Sequence, residues 1–306
     1  MRLGGLAGVW ILALIRFAAP PEATPAPAGP QAVVLGIAQD GGVPHLGCRQ
    51  ALCVEARRDP GKHRRVAALG ILDPAAGKRF LIDATPDFPD QVEHLGGMPD
   101  AILLTHAHVG HYLGLAGLGR EVANTRRLPV YCTASMARFL RENRPWSRLV
   151  ERENIEIRQI EPGKPLALTP QLTVTALKVP HRDEDSDTVA YLVAGPRARL
   201  LWLPDIDRWE KWERRLEDFA SDAAMTLLLD GTFFSAGEIP GRAIEDIPHP
   251  LVPDSVARLS AAGPPAARVL FVHLNHTNRL LWDGAAVKTL QEKGFDVARE
   301  GQNFPL

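Results

Sequence analysis

The sequence predicts an α/β protein built from two β-sheets covered by helices, on three observations. From residue 31 onward, short leucine-rich or β-branched runs recur, most of them ended by Gly, Pro or Asp, as strands tend to be. Segments with apolar residues at near-helical spacing lie between and after them. No low-complexity linker and no residue-level repeat divides the chain, so residues 31–306 are expected to form one domain.

The first thirty residues stand apart. Arg2 precedes an apolar run over 3–15, and 18–30 is almost entirely Ala and Pro. That order reads as a secretory signal peptide and linker, with Ala26-Pro27-Ala28 as a cleavage point. An uncleaved membrane anchor is the alternative, although the run is short for a span and Arg16 interrupts it. The mature chain is therefore expected in a bacterial periplasm or outside the cell, without a stable membrane span.

Strands are expected at 32–38, 65–73, 79–83, 101–105 and 129–132, then at 155–160, 172–179, 189–193, 199–203, 226–229 and 268–272. Helices are expected at 111–124, 135–142, 209–219, 253–261 and 282–293. In the first of these, Leu113, Leu115, Leu118 and Val122 form an apolar stripe. With 306 residues, 45% hydrophobic and 23% charged, the composition is that of an ordinary globular protein.

A formal charge of −1, from 35 basic and 36 acidic residues, provides no global field for nucleic acid. Arg57-Arg58 and His63-Arg64-Arg65 are short and read as solvated loops, so a small-molecule substrate is expected. Three cysteines remain after the leader: Cys48, Cys53 and Cys132. Cys48 and Cys53 suit a disulfide in an oxidising compartment, a zinc clip together with His45, or free thiols.

The strongest local signal is the apolar run Ile102-Leu103-Leu104-Thr105 entering His106, His108 and His111. Three imidazoles within six residues at a strand end can converge on one metal pocket. This segment resembles the His-x-His-x-Asp-His signature of the metallo-β-lactamase superfamily. Leu81-Ile82-Asp83 resembles that family's upstream strand-end aspartate motif, and Val179-Pro180-His181, Leu203-Pro204-Asp205 and Val272-His273 resemble its later motifs, in the right order. More narrowly, Asp40-Gly41-Gly42-Val43-Pro44, Asp230-Gly231-Thr232-Phe233 and His273-Leu274-Asn275-His276-Thr277-Asn278 resemble the pyrroloquinoline quinone biosynthesis protein B branch.

The resemblance implies an αββα sandwich of two mixed sheets with a metal site in loops at one edge. It implies that His106, His108 and His181 hold a first metal, and His111, Asp205 and His273 a second. Asp205 would bridge the two and serve as the catalytic carboxylate. One departure stands out: Gly110 occupies the position of the pattern's Asp, which removes an expected ligand of the second metal. Asp40, His45, Asp207 and His276 are candidates to compensate from nearby loops. Asp83 is expected to orient a ligand histidine. Asp230 is expected either to do the same or to cap the turn at Gly231. Trp146, Phe234 and His249 are candidate pocket residues, with a proline-fixed turn as the alternative for His249.

One or two zinc ions on these residues would supply hydroxide at neutral pH. The leading expectation is hydrolysis of an ester, lactone, amide or phosphodiester bond. An iron(II)-dependent oxygenase or oxidase of the quinone-cofactor type is the second reading, and a non-catalytic metal- or ligand-binding protein the third.

Overall fold

The structure is a computed structural model that describes residues 29–239, 241, 247–261 and 263–306. The expected signal peptide, through residue 28, lies outside them. β1 (Gln31–Gly36) places Ala32 and Val34 in one core cluster and Val33 and Leu35 in the other, the two-residue period of a strand buried on both faces. After α1 (Ala51–Ala56), β2 (Ala68–Asp73) and β3 (Lys78–Ile82) complete an antiparallel meander. α2 (Phe88–Leu95) then leads to β4 (Ala101–Leu103), and α3 (Val109–Tyr112) to β5 (Leu128–Cys132). α4 (Ala134–Glu142) and α5 (Trp146–Glu151) lead to β6 (Ile155–Gln159), and β3 to β6 pair in parallel.

The second half repeats the plan. β7 (Pro165–Ala167), β8 (Thr173–Val179), β9 (Thr188–Ala194) and β10 (Arg199–Leu203) form an antiparallel meander. α6 (Leu216–Ala220), β11 (Met225–Asp230), α7 (Val252–Ser260), β12 (Arg268–Val272), α8 (Gly284–Glu292) and β13 (Phe295–Val297) continue it in parallel. β14 (Asn303–Pro305) crosses back to pair with β1. The result is two mixed 7-stranded sheets, β14-β1-β2-β3-β4-β5-β6 and β13-β12-β11-β10-β9-β8-β7.

Ala32, Val34, Leu69, Ile82 and Leu103 of the first sheet share one core with Val174, Tyr191 and Leu201 of the second. On the opposite face of the first sheet, Leu81, Ile102 and Val130 pack with Phe88 and Val92 of α2 and Met136 and Leu140 of α4. Each fully buried aliphatic or aromatic side chain contributes about 1.5–3 kcal/mol. No helix among the described residues is long and apolar enough to cross a membrane.

The expected helix at 111–124 is not formed. α3 closes at Tyr112 and a 3-10 turn, Leu113–Leu118, follows. Gly114 presses so closely on Thr85 that a Cβ there would stand 2.2 Å from its carbonyl oxygen. Leu115 and Leu118 satisfy the three-residue period of the tighter helix and are both buried. The expected helix at 209–219 divides into a 3-10 turn at Trp209–Lys211 and α6. The break follows from two anchored indoles: Trp209 donates to Ser255 at 2.9 Å and Trp212 to the Lys178 carbonyl at 2.8 Å. The last helix starts two residues later than expected, because the Asp283 carboxylate caps the N–H groups of Ala285 and Ala286. α1, α2, α5 and the three-residue strands β7, β13 and β14 were not expected from the sequence.

Candidate metal centre

Loops after β1, β3, β4, β8, β10, β11 and β12 meet at one edge of the sandwich, where α/β folds place ligands. Two buried aspartates organise them. Asp83, directly after β3, accepts the Thr105 N–H at 2.9 Å and receives Nδ1 of His111 at 2.8 Å. The Thr105 hydroxyl donates to Asp83 at 3.0 Å, so toward His106 it accepts, taking the Nδ1 proton at 3.0 Å. Asp230, ending β11, repeats the device: it receives Nδ1 of His249 at 2.8 Å and the Thr232 hydroxyl at 2.7 Å. That hydroxyl accepts from Nδ1 of His273 at 2.9 Å. Each carboxylate thus holds one imidazole directly and a second through a threonine, and turns Nε2 of His106, His111 and His273 inward. Asp83 and His273 adopt left-handed backbone, φ 70° and 61°, at the turns that aim them.

Asp205 stands at the convergence. Its Oδ2 lies 3.0 Å from His111 Nε2, 3.3 Å from His273 Nε2 and 3.9 Å from His106 Nε2. Its Oδ1 lies 3.7 Å from both His181 Nε2 and His249 Nδ1. The loop that carries Asp205 is tied to the His181 loop by Asp207 N–H donating to the Pro180 carbonyl at 2.7 Å. His108 presents Nδ1 2.8 Å from His106 Nε2, and its Nε2 meets Glu184 at 2.8 Å. Asp40 contributes Oδ1, 3.4 Å from His111 Nε2 and 3.6 Å from His273 Nε2.

Buried atoms at this point have no hydrogen-bond partner: Asp40 Oδ1, Asp205 Oδ2, both nitrogens of His181, and Nε2 of His111 and His273. Buried polar groups are normally satisfied, so a cluster of unpartnered lone-pair donors fits a cation. Four groups bring potential ligand atoms within 4.8 Å of one another: His106, His108 and His181; Asp40, His111 and His273; His106, His111 and Asp205; and His181, Asp205 and His249.

The electrostatics are divided. Burial lowers the His106 imidazole well below its ordinary value, and lowers His181 to about 4 although Asp205 opposes it, leaving both neutral, the form a metal takes. Burial opposes ionisation of Asp205, yet His273, His111 and His181 hold it well below the usual carboxylate range. Burial likewise opposes the charge on His111, and Asp83, Asp205 and Asp40 overcome it.

The structure brings together His106, His108, His111, His181, Asp205 and His273, with Asp83 and Asp230 behind them. His249, whose alternative reading was a turn, lies inside the cluster. His45 and His276 lie ring against ring at 4.2 Å with their planes tilted by 31°, and belong to no ligand group among the described residues. Asp207 is engaged by Lys211. Trp146 packs against Tyr112 at 4.7 Å and Phe139 at 5.9 Å, beside the core cluster under α2 and α4. Phe234, under Arg279 at 5.4 Å, lines an apolar cavity beside α7 and α8 that touches none of the ligand candidates. Cys48, Cys53 and Cys132 are free thiols and enter no ligand group among the described residues. Sequence reasoning missed Thr105, Thr232 and Glu184. The threonines carried a signal, each beside or two residues from a strand-end Asp or His, whereas Glu184 sits in an acidic loop without one. A cleft of about 730 Å³ opens beside Asp40, with exposed Val109 and Leu113 on its wall.

Comparison with known proteins agrees with this architecture. Residues 78–274 match the β-lactamase superfamily domain. Coenzyme PQQ synthesis protein B of Methylobacterium sp. (strain 4-46) is 27% identical over 311 residues, covering 90% of this chain and 100% of that protein. Among solved structures, zinc-bound PqqB from Methylobacterium extorquens superposes with a TM-score of 0.76 at 23% identity, over 90% of this chain and 100% of that one. A diphosphatase from the PhnP family superposes with a TM-score of 0.67 at 22% identity, over 90% of this chain and 97% of that one.

Proposed function

The chain belongs to the β-lactamase superfamily, and from that premise we propose that it is a metal-dependent hydrolase of an ester, lactone, amide or phosphodiester bond in a small molecule. The observation that carries this reading is the set of unpartnered nitrogens and oxygens gathered around Asp205. His106, His108 and His181 with Asp205 suit one ion, and His111 and His273 with Asp205 suit a second. Zinc held there lowers the pKa of water to about 7 and polarises the bond under attack.

The protein's own groups supply the rest. Asp205 is kept ionised, against burial, by the ring of imidazoles that Asp83 and Asp230 turn toward it. Asp230 engages Nδ1 of His249 and favours the imidazolium over the opposing effect of burial. Nε2 of His249 is then left to give a proton to the departing oxygen or nitrogen. The cleft beside Asp40 has the size of a small-molecule site.

An iron-dependent oxygenase or oxidase is the second reading, favoured by the likeness to coenzyme PQQ synthesis protein B over 90% of the chain. One experiment separates the two: chelator-stripped protein is reloaded with zinc or with iron(II), then assayed on aryl ester, lactone and aryl phosphodiester probes alongside oxygen uptake. Hydrolysis with zinc and no oxygen uptake supports the hydrolase. Oxygen consumption with iron and no hydrolysis with either metal overturns it. Export belongs to the same reading, and N-terminal mass checks it: loss of the chain through Ala28 supports export, and a retained Met1 contradicts a cleaved leader.

A further inference from the structure

Gly110 leaves the second half of the centre short of a side chain, and the space it would fill is taken. A Cβ built on Gly110 would stand 2.1 Å from Asp40 Oδ1, 2.7 Å from its Cγ and 2.8 Å from its Cα. No side chain fits at position 110 while Asp40 is in place. The Asp40 oxygen that fills this space is itself buried and unpartnered, as are the two imidazole nitrogens it faces. It stands 3.4 Å from His111 Nε2 and 3.6 Å from His273 Nε2.

The backbone fixes this placement. Gln39 donates to the Leu274 carbonyl at 2.9 Å and Leu274 to that of Ile37 at 2.8 Å, which joins the Asp40 loop to the segment bearing His273. Gly42 donates back to Gln39 at 2.7 Å with φ 63°, closing a tight turn around Asp40. The carboxylate is therefore positioned by main-chain hydrogen bonds on both sides.

We propose that Asp40 is a further carboxylate ligand of the second metal beside Asp205, occupying from the loop after β1 the space that a side chain on Gly110 would otherwise fill. The proposal rests on the metal-site reading above. It makes positions 40 and 110 a reciprocal pair, in which one carries the carboxylate and the other must be glycine. An oxygen ligand with a full negative charge complements the two imidazole nitrogens in holding a hard or borderline divalent ion.

Zinc titration into chelator-stripped full-length protein, followed by calorimetry with circular dichroism as a check on folding, tests it. The wild type is expected to bind two ions. Asp40→Ala and the isosteric Asp40→Asn are expected to keep one at unchanged affinity and to weaken the other by more than about tenfold. Gly110→Asp in the Asp40→Gly background returns the carboxylate from the other side, with the glycine at 40 yielding a few tenths of an ångström to clear the 2.8 Å approach to its Cα, and is expected to restore the second ion. Asp40 variants that bind both ions as the wild type does would overturn this assignment alone. A folded double variant that fails to regain the ion would overturn the shared position. A wild type that binds no zinc would overturn the metal-site reading together with it.

Discussion

Asp83 and Asp230 each hold two imidazoles, one directly and one through a threonine, so the aim of four rings depends on two carboxylates. His249 is the ring among them whose proposed part is to deliver a proton. His249→Ala is expected to lower kcat by about 10²–10⁴-fold on a substrate with a poor leaving group, with zinc content unchanged. On a nitrophenyl substrate, whose leaving group departs without protonation, the loss should nearly vanish. An equal loss on both would give His249 a structural role instead. A second residue-scale expectation concerns thiols. Burial pushes Cys132 up to about 12, so at pH 8 its thiolate is roughly one part in 10⁴. Peptide mass spectrometry after alkylation of the native chain should find half-buried Cys48 modified and Cys132 spared, with Cys132 gaining reactivity as pH rises toward 12. The histidines of the centre were legible because they crowd one strand end. The position of Asp40 was not, since it depends on pairing between residues 37–39 and Leu274, more than two hundred residues apart in the chain.

At the scale of elements, Arg199–Leu203 and Arg268–Val272 form strands with the bounds the sequence suggests, because continuous apolar runs bounded by polar residues leave little choice. The segment after His111 shows the limit of such reading. Its leucine stripe is compatible with an α-helix, but Gly114 must pass against the backbone of Ala84 and Thr85, a tertiary demand no local pattern states. The two readings give opposite signs for one substitution. In an α-helix interior Gly→Ala would stabilise by about 1 kcal/mol. Here Gly114→Ala is expected to destabilise by about 1–3 kcal/mol through overpacking, measured as a lower denaturation midpoint in urea. A raised midpoint would contradict the observed turn.

Over the whole molecule, each half of the chain builds an antiparallel meander and then extends it with parallel strands, and the loops of both halves close on Asp205. Short apolar runs ended by Gly, Pro or Asp, with helical segments between and after them, made the two-sheet fold class readable, while the closing strands β13 and β14 are too short for such a run to show. Zinc is expected among imidazoles and carboxylates at the shared edge and not on Cys48 and Cys53. X-ray absorption at the zinc edge of the metal-loaded, full-length chain measures that difference directly. The prediction is a nearest shell of nitrogen and oxygen at about 2.0 Å with a second metal at about 3.5–4 Å. A sulfur shell at about 2.3 Å, or a folded chain that takes up no zinc at all, would contradict it.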